Sequence, residues 1–149
     1  MKRHLCFIVL CFVLAAGVFA QTAERLEGLL NAEKLTYGEA AQFVLEAADL
    51  LAAGADEAFA FAAGQKWLPA KAASNGTARL DGLSLLVMNA FQLKGGLVYS
   101  ILRNPHHAYR ELQYQGILDG KDDPAMDVSG SLLLSVVERV FSYKEGSQQ

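Results

Sequence analysis

Three stretches of the chain share one order of apolar and polar positions. They are Leu35-Thr36-Tyr37-Gly38-Glu39-Ala40-Ala41, Leu80-Asp81-Gly82-Leu83-Ser84-Leu85-Leu86 and Val128-Ser129-Gly130-Ser131-Leu132-Leu133-Leu134. Each opens on an aliphatic residue, continues with a side chain able to cap a helix (Thr36, Asp81, Ser129) and runs on through apolar helix formers. A capping oxygen accepts a free N–H of the first turn and contributes about 1 kcal/mol. The aliphatic residue before it can fold back on the helix as a staple, and Thr36 with Glu39 matches a capping box. The caps fall at 36, 81 and 129, spaced by 45 and 48 residues, which reads as an internal repeat.

Shorter helices are predicted between these runs, from Thr22 to about Asn31, Asp56 to about Lys66, and Asn104 to about Gln115. Asn104 is the cap of the last, with Pro105 at its first position, and Gly116 is its stop. Lys94-Gly95-Gly96 ends the second long helix. The runs Leu85-Leu86-Val87-Met88-Asn89-Ala90-Phe91 and Leu132-Leu133-Leu134-Ser135-Val136-Val137 are apolar on nearly every face, as buried helices are. Phe43, Val44, Ala47, Leu50 and Leu51 form a cleaner stripe on the first long helix. Length and capping favour helix over strand for the short β-branched runs. The prediction is an all-α fold, a compact bundle of three pseudo-repeated helix pairs with units at about 22–52, 55–94 and 104–143.

The amino terminus has a different pattern. Met1-Lys2-Arg3-His4 is basic, Leu5 to Ala16 is unbroken apolar, and Val18-Phe19-Ala20 supplies small or aliphatic residues at −3 and −1. This is the pattern of a secretory signal peptide over 1–20, followed by a single domain over 21–149. The 16 residues from Leu5 to Ala20 fall short of the roughly 20 that span a bilayer. Cleavage would remove Cys6 and Cys11 and leave no disulfide or thiolate site. It would also move the net charge from −3 to −5, with 11 basic against 16 acidic residues. That balance, with no Lys/Arg cluster, argues against nucleic acid and against anionic lipid surfaces. The expected address is the periplasm or cell envelope, with no transmembrane segment once the signal is removed.

Ala108-Tyr109-Arg110-Glu111-Leu112, Gly116-Ile117-Leu118-Asp119-Gly120, Asp123-Pro124 and Val128-Ser129-Gly130 together resemble a surface-layer homology module. Leu35-Thr36-Tyr37-Gly38-Glu39-Ala40 resembles the same helix start, and Trp67-Leu68-Pro69 precedes the middle one. The chain is also similar to exported proteins of spirochaetes. The resemblance covers most of residues 22–143 and implies a three-unit helical domain attached non-covalently to a cell-wall polysaccharide. The family's polymer-binding arginine follows the Thr; the matching positions here are Tyr37, Gly82 and Gly130.

Candidate chemistry is sparse. His107 and Glu111 share a helix face beside His106, without a third ligand at a recognisable spacing. Asp119-Gly120-Lys121-Asp122-Asp123 with Asp127 fails the calcium-loop pattern, since position twelve is Gly130. There is no G-x-S-x-G elbow, phosphate loop or dinucleotide fingerprint. These patterns give no enzyme, no cofactor and no metal; a less favoured reading is an envelope enzyme using His106 and His107. Trp67, Tyr99, Tyr109 and Tyr114, interleaved with Arg103 and Arg110, suit a glycan site, a protein interface or ordinary packing. Leu97 to Leu102 reads either as core or as a partner-binding strip. The expectation is a groove between helix pairs lined by Trp67, Tyr109, Arg110 and Tyr114. Its partner would be cell-wall polysaccharide or, in the second reading, another envelope protein.

Overall fold

The computed structural model describes residues 23–147. The expected signal peptide and both cysteines lie outside the described residues. Seven helices form within them: α1 (23–31), α2 (Tyr37–Ala47), α3 (Ala55–Gly64), α4 (Leu80–Ala90), α5 (Leu97–Ile101), α6 (Pro105–Tyr114) and α7 (Gly130–Gly146). Two isolated bridges, Thr36 with Thr77 and Arg79 with Asp127, are the only β pairings among the described residues. The fold is an all-α bundle, as the apolar pattern predicts.

The three long helices start from one ring of backbone hydrogen bonds. Leu35 N–H donates to the Val128 carbonyl (2.8 Å), Val128 N–H to Ala78 (2.9 Å), and Ala78 N–H to Leu35 (2.8 Å). The ring closes on itself, and all three residues are buried. Tyr37, Leu80 and Gly130, each the first residue of its helix, donate outward to Gly76, Met126 and Ala32 at 2.9–3.0 Å. The N–H and C=O groups of Leu35, Ala78 and Val128 thereby find partners away from water, which a buried backbone requires.

The ring corrects the repeat register. The residues flanking the helices are Thr36, Arg79 and Ser129, so the caps are 43 and 50 residues apart. Thr36 makes its capping box with Glu39, and Ser129 Oγ accepts from Leu132 N–H at 3.2 Å. Asp81 is not the cap of α4. Ala78 is held in the ring through its backbone alone, so Arg79 takes the cap position without a side-chain bond and Asp81 falls on the second helical residue. Its carboxylate still accepts from Gly82 N–H (2.8 Å) and from the Arg79 guanidinium (3.1 Å). In this register the residue after the cap is Leu80, in place of Gly82. Gly82 instead lies against the Tyr37 ring, where a side chain would collide.

Helix ends repeat as faithfully as helix starts. Asp49, Lys66, Gln92 and Gly116 each adopt a left-handed φ (57°, 60°, 53° and 73°) two residues after α2, α3, α4 and α6. The next residue then bonds back into the last turn: Leu50 to Leu45, Trp67 to Ala62, Leu93 to Met88, Ile117 to Leu112, all 2.9 Å. This is the Schellman closure with its apolar contact. Gly116 is the predicted stop of α6. In contrast, α4 ends at Ala90, short of Lys94-Gly95-Gly96, because Gln92 already turns the chain.

α2 and α4 therefore correspond at a constant offset of 43, while α3 and α6 correspond at a constant offset of 50. The difference is a seven-residue excess between Gln92 and Asn104, and it contains α5. α4 is the most enclosed helix, with only Asp81 and Asn89 not fully buried. α7 buries one stripe, Leu133, Val136, Val137 and Val140, with Leu132 and Leu134 only half-buried, so it is not apolar all round as the sequence implied. Its start is pressed against the Leu29 carbonyl of α1, which leaves room only for glycine at 130.

Candidate functional site

Two clefts among the described residues bear on function. The first, about 460 Å³, lies between α1 and α2 and is lined by Leu26, Leu29, Leu35 and Phe43 with Arg25, Glu39 and Glu46. Its charges are engaged internally. Arg25 pairs with Glu46 at 3.2 Å, and the Glu39 carboxylate accepts from Thr36 N–H and Oγ at 2.8 and 2.9 Å.

The second cleft, about 580 Å³, is built by the seven-residue excess. It is lined by Trp67 from the turn after α3, Met88 and Asn89 from α4, Gln92 to Gly95, then Tyr99, Ser100 and Arg103. Trp67 is half-buried and held edge-to-face by Phe61, with centroids 5.8 Å apart. Asn89 Nδ2 donates to the Leu85 carbonyl (2.7 Å) and reaches the Tyr99 hydroxyl at 3.4 Å. The Tyr99 ring closes over Gly95, where any Cβ would collide with it. Burial pushes the Tyr99 hydroxyl above its ordinary pKa, and the nearby Arg103 partly offsets this. Gln115 Nε2 donates to the Lys94 carbonyl (2.8 Å), tying the excess segment to the end of α6.

The charges of this cleft are the reverse of the first. Lys94 and Arg103 line it and are exposed, no carboxylate lines it, and neither cation forms an ion pair among the described residues. Two cations, two amides and the half-buried Trp67 ring at one opening, with Tyr99 buried beneath, can hold anionic groups and hydroxyls against the Trp67 face.

Of the four residues expected to line a groove together, Trp67 alone reaches either cleft. Tyr109 is buried; its hydroxyl donates to the Asp122 carbonyl and accepts from Gln113 Nε2 (2.6 Å), fastening α6 to the acidic loop. Burial raises its pKa, and the Asp122 and Asp123 carboxylates add to the effect. Arg110 and Tyr114 touch each other at 3.4 Å on the exposed face of α6. The acidic loop is a bonded turn, with Asp123 Oδ1 accepting from Ala125 N–H (2.8 Å) and Asp119 3.7 Å from Arg139. The His106 and His107 rings lie 5.5 Å apart, and no group of three metal-ligating side chains occurs among the described residues.

Of the other lining residues, the sequence marks Tyr99 and Arg103 within the larger aromatic cluster and Tyr99 and Ser100 within the strip Leu97 to Leu102, and it does not mark Asn89, Gln92 and Lys94 as binding residues. A usable signal was present: residues 82–110 contain no Asp or Glu in a chain of net charge −3. No family model matches this chain, and no curated protein or solved structure matches it either.

Proposed function

We propose that this chain is a non-enzymatic binding module of the cell envelope, and that the cleft between α4 and α5 takes an anionic saccharide of the wall. The observation that carries this reading is the pair of unpaired cations, Lys94 and Arg103, beside Trp67 and Tyr99 in a cleft without a carboxylate. A sugar ring would lie on the Trp67 face, the cations would meet carboxylate or phosphate, and Asn89 and Gln92 would bond hydroxyls. The export pattern at the amino terminus and the surface-layer homology resemblance support the same address. The resemblance places its arginine at the start of a helix, whereas here the cations come from the excess segment.

Co-sedimentation with purified sacculi tests the reading. Binding is expected to intact sacculi, to vanish when wall polysaccharide is stripped, and to fall at least about tenfold in Lys94→Glu/Arg103→Glu, since charged hydrogen bonds contribute about 1.5–3 kcal/mol each. Equal binding to stripped and intact sacculi, or no binding to either, would overturn it. The latter result would turn attention to the alternative, an adaptor for another envelope protein.

A further inference from the structure

The seven-residue excess has a second side that the cleft does not use. Tyr99 and Ser100 face the cleft, while Leu97, Val98, Ile101 and Leu102 are 80, 54, 73 and 52% exposed and line neither cleft. Isolated exposed aliphatics are ordinary, but four within six consecutive residues form a patch that water disfavours. The corresponding junction after α2 reaches its next helix without such a patch, with Leu50 alone exposed. The cost is therefore specific to this unit.

The surrounding charge indicates what covers the patch. Lys94 and Arg103 flank it on both sides, both exposed, within an acid-free stretch that also carries Arg110. The Glu111 carboxylate lies against Gly96, at the start of the patch. No helix among the described residues is long and apolar enough to cross a membrane. We propose that α5 is a lipid-anchoring wedge: its four outward aliphatic side chains enter the interfacial layer of an anionic bilayer while Lys94 and Arg103 reach the headgroups. Long cationic side chains at the edge of an inserted apolar surface extend to the headgroups in this way. A second copy of the chain fits the patch poorly. A two-fold contact there would oppose like cations, and four side chains fall far short of the roughly 20–30 residues a side of a stable interface.

The four aliphatic side chains of the wedge lie outside the cleft, whereas Lys94 and Arg103 also line it, so the apolar contact is what sets this inference apart from the saccharide reading. Its test places a reporter on the wedge: Ile101→Trp in the full chain, with emission and quenching by brominated lipid compared against the unchanged chain, whose Trp67 supplies the background. The signal reports residue 101 itself, whichever other part of the chain meets lipid. On vesicles of mixed phosphatidylglycerol and phosphatidylcholine, emission is expected to shift to the blue and to be quenched. Partitioning is expected to fall roughly fivefold for each of Lys94→Gln and Arg103→Gln, and about tenfold for Leu97→Asn. Thermal melting of every variant should match the parent, since all four positions are exposed. Unchanged emission on vesicles would overturn the wedge, and equal partitioning into pure phosphatidylcholine would overturn its charge basis. A blue shift in buffer alone that grows with protein concentration would also overturn it, by assigning the patch to a second copy.

Discussion

The junctions after α2 and α4 begin identically and end differently. Each follows an eleven-residue helix, each turns on a left-handed residue (Asp49, Gln92), and each returns a leucine (Leu50, Leu93) to the helix it left. The first then reaches the next helix directly, braced by Gln42 Nε2 on the Ala53 carbonyl at 2.8 Å. The second carries seven more residues, and with them a cleft of unpaired cations and a row of exposed aliphatics. Features common to all units, the backbone ring and the helix closures, hold the bundle together. Features of one unit alone carry the chemistry, as insertions in repeat folds often do.

The sharpest break of this contrast is a substitution on each side. Ala78→Pro removes the N–H that bonds to Leu35 and opens the ring, so it should cost about 3 kcal/mol or more. Ile101→Ser, on the excess segment, should stay within about 0.5 kcal/mol of the parent in the same denaturant titration. A smaller effect separates the two readings of the repeat register. Thr36→Ala should cost about 1 kcal/mol through its capping box. Asp81→Ala, no longer a cap, should lose only about 0.5 kcal/mol through its first-turn contacts.

The smallest expected effect is alkaline. Burial is the leading cause of the raised pKa of Tyr37, Tyr99 and Tyr109. The folded chain keeps those protons where the unfolded chain loses them, so stability is full below about pH 10, the ordinary tyrosine value, and declines above it. Melting temperature followed from pH 8 to 11 should be flat and then fall. Tyr99→Phe should lessen the fall.

Side-chain signatures decided which parts of the fold could be read from the sequence. Thr36, Asn104, Ser129 and Gly116 cap or stop their helices with atoms or conformations peculiar to those residue types, and each is where the pattern placed it. Ala78 and Arg79 start α4 without a capping side chain, and the carboxylate that resembles a cap in the sequence, Asp81, falls on the second helical residue. Asp49, Lys66 and Gln92 turn left-handed without being glycine, so the sequence places the end of α4 at Gly95 and Gly96 instead of Gln92. The cleft was harder still. It joins Trp67 to Tyr99 across 32 residues of sequence, and it uses ordinary amides and lysine rather than a motif. The Tyr109 ring suits a binding face in the sequence, whereas in the fold its hydroxyl holds the Asp122 carbonyl.

The most direct test of the link between the excess segment and binding is an amide and side-chain chemical-shift map during titration with an anionic oligosaccharide released from cell wall. The predicted result is a cluster of shifts at the Trp67 indole, Asn89, Gln92, Lys94 and Arg103, with Arg25, Phe43 and Glu46 of the first cleft unmoved. Shifts confined to the first cleft, or none at saturating ligand, would contradict it.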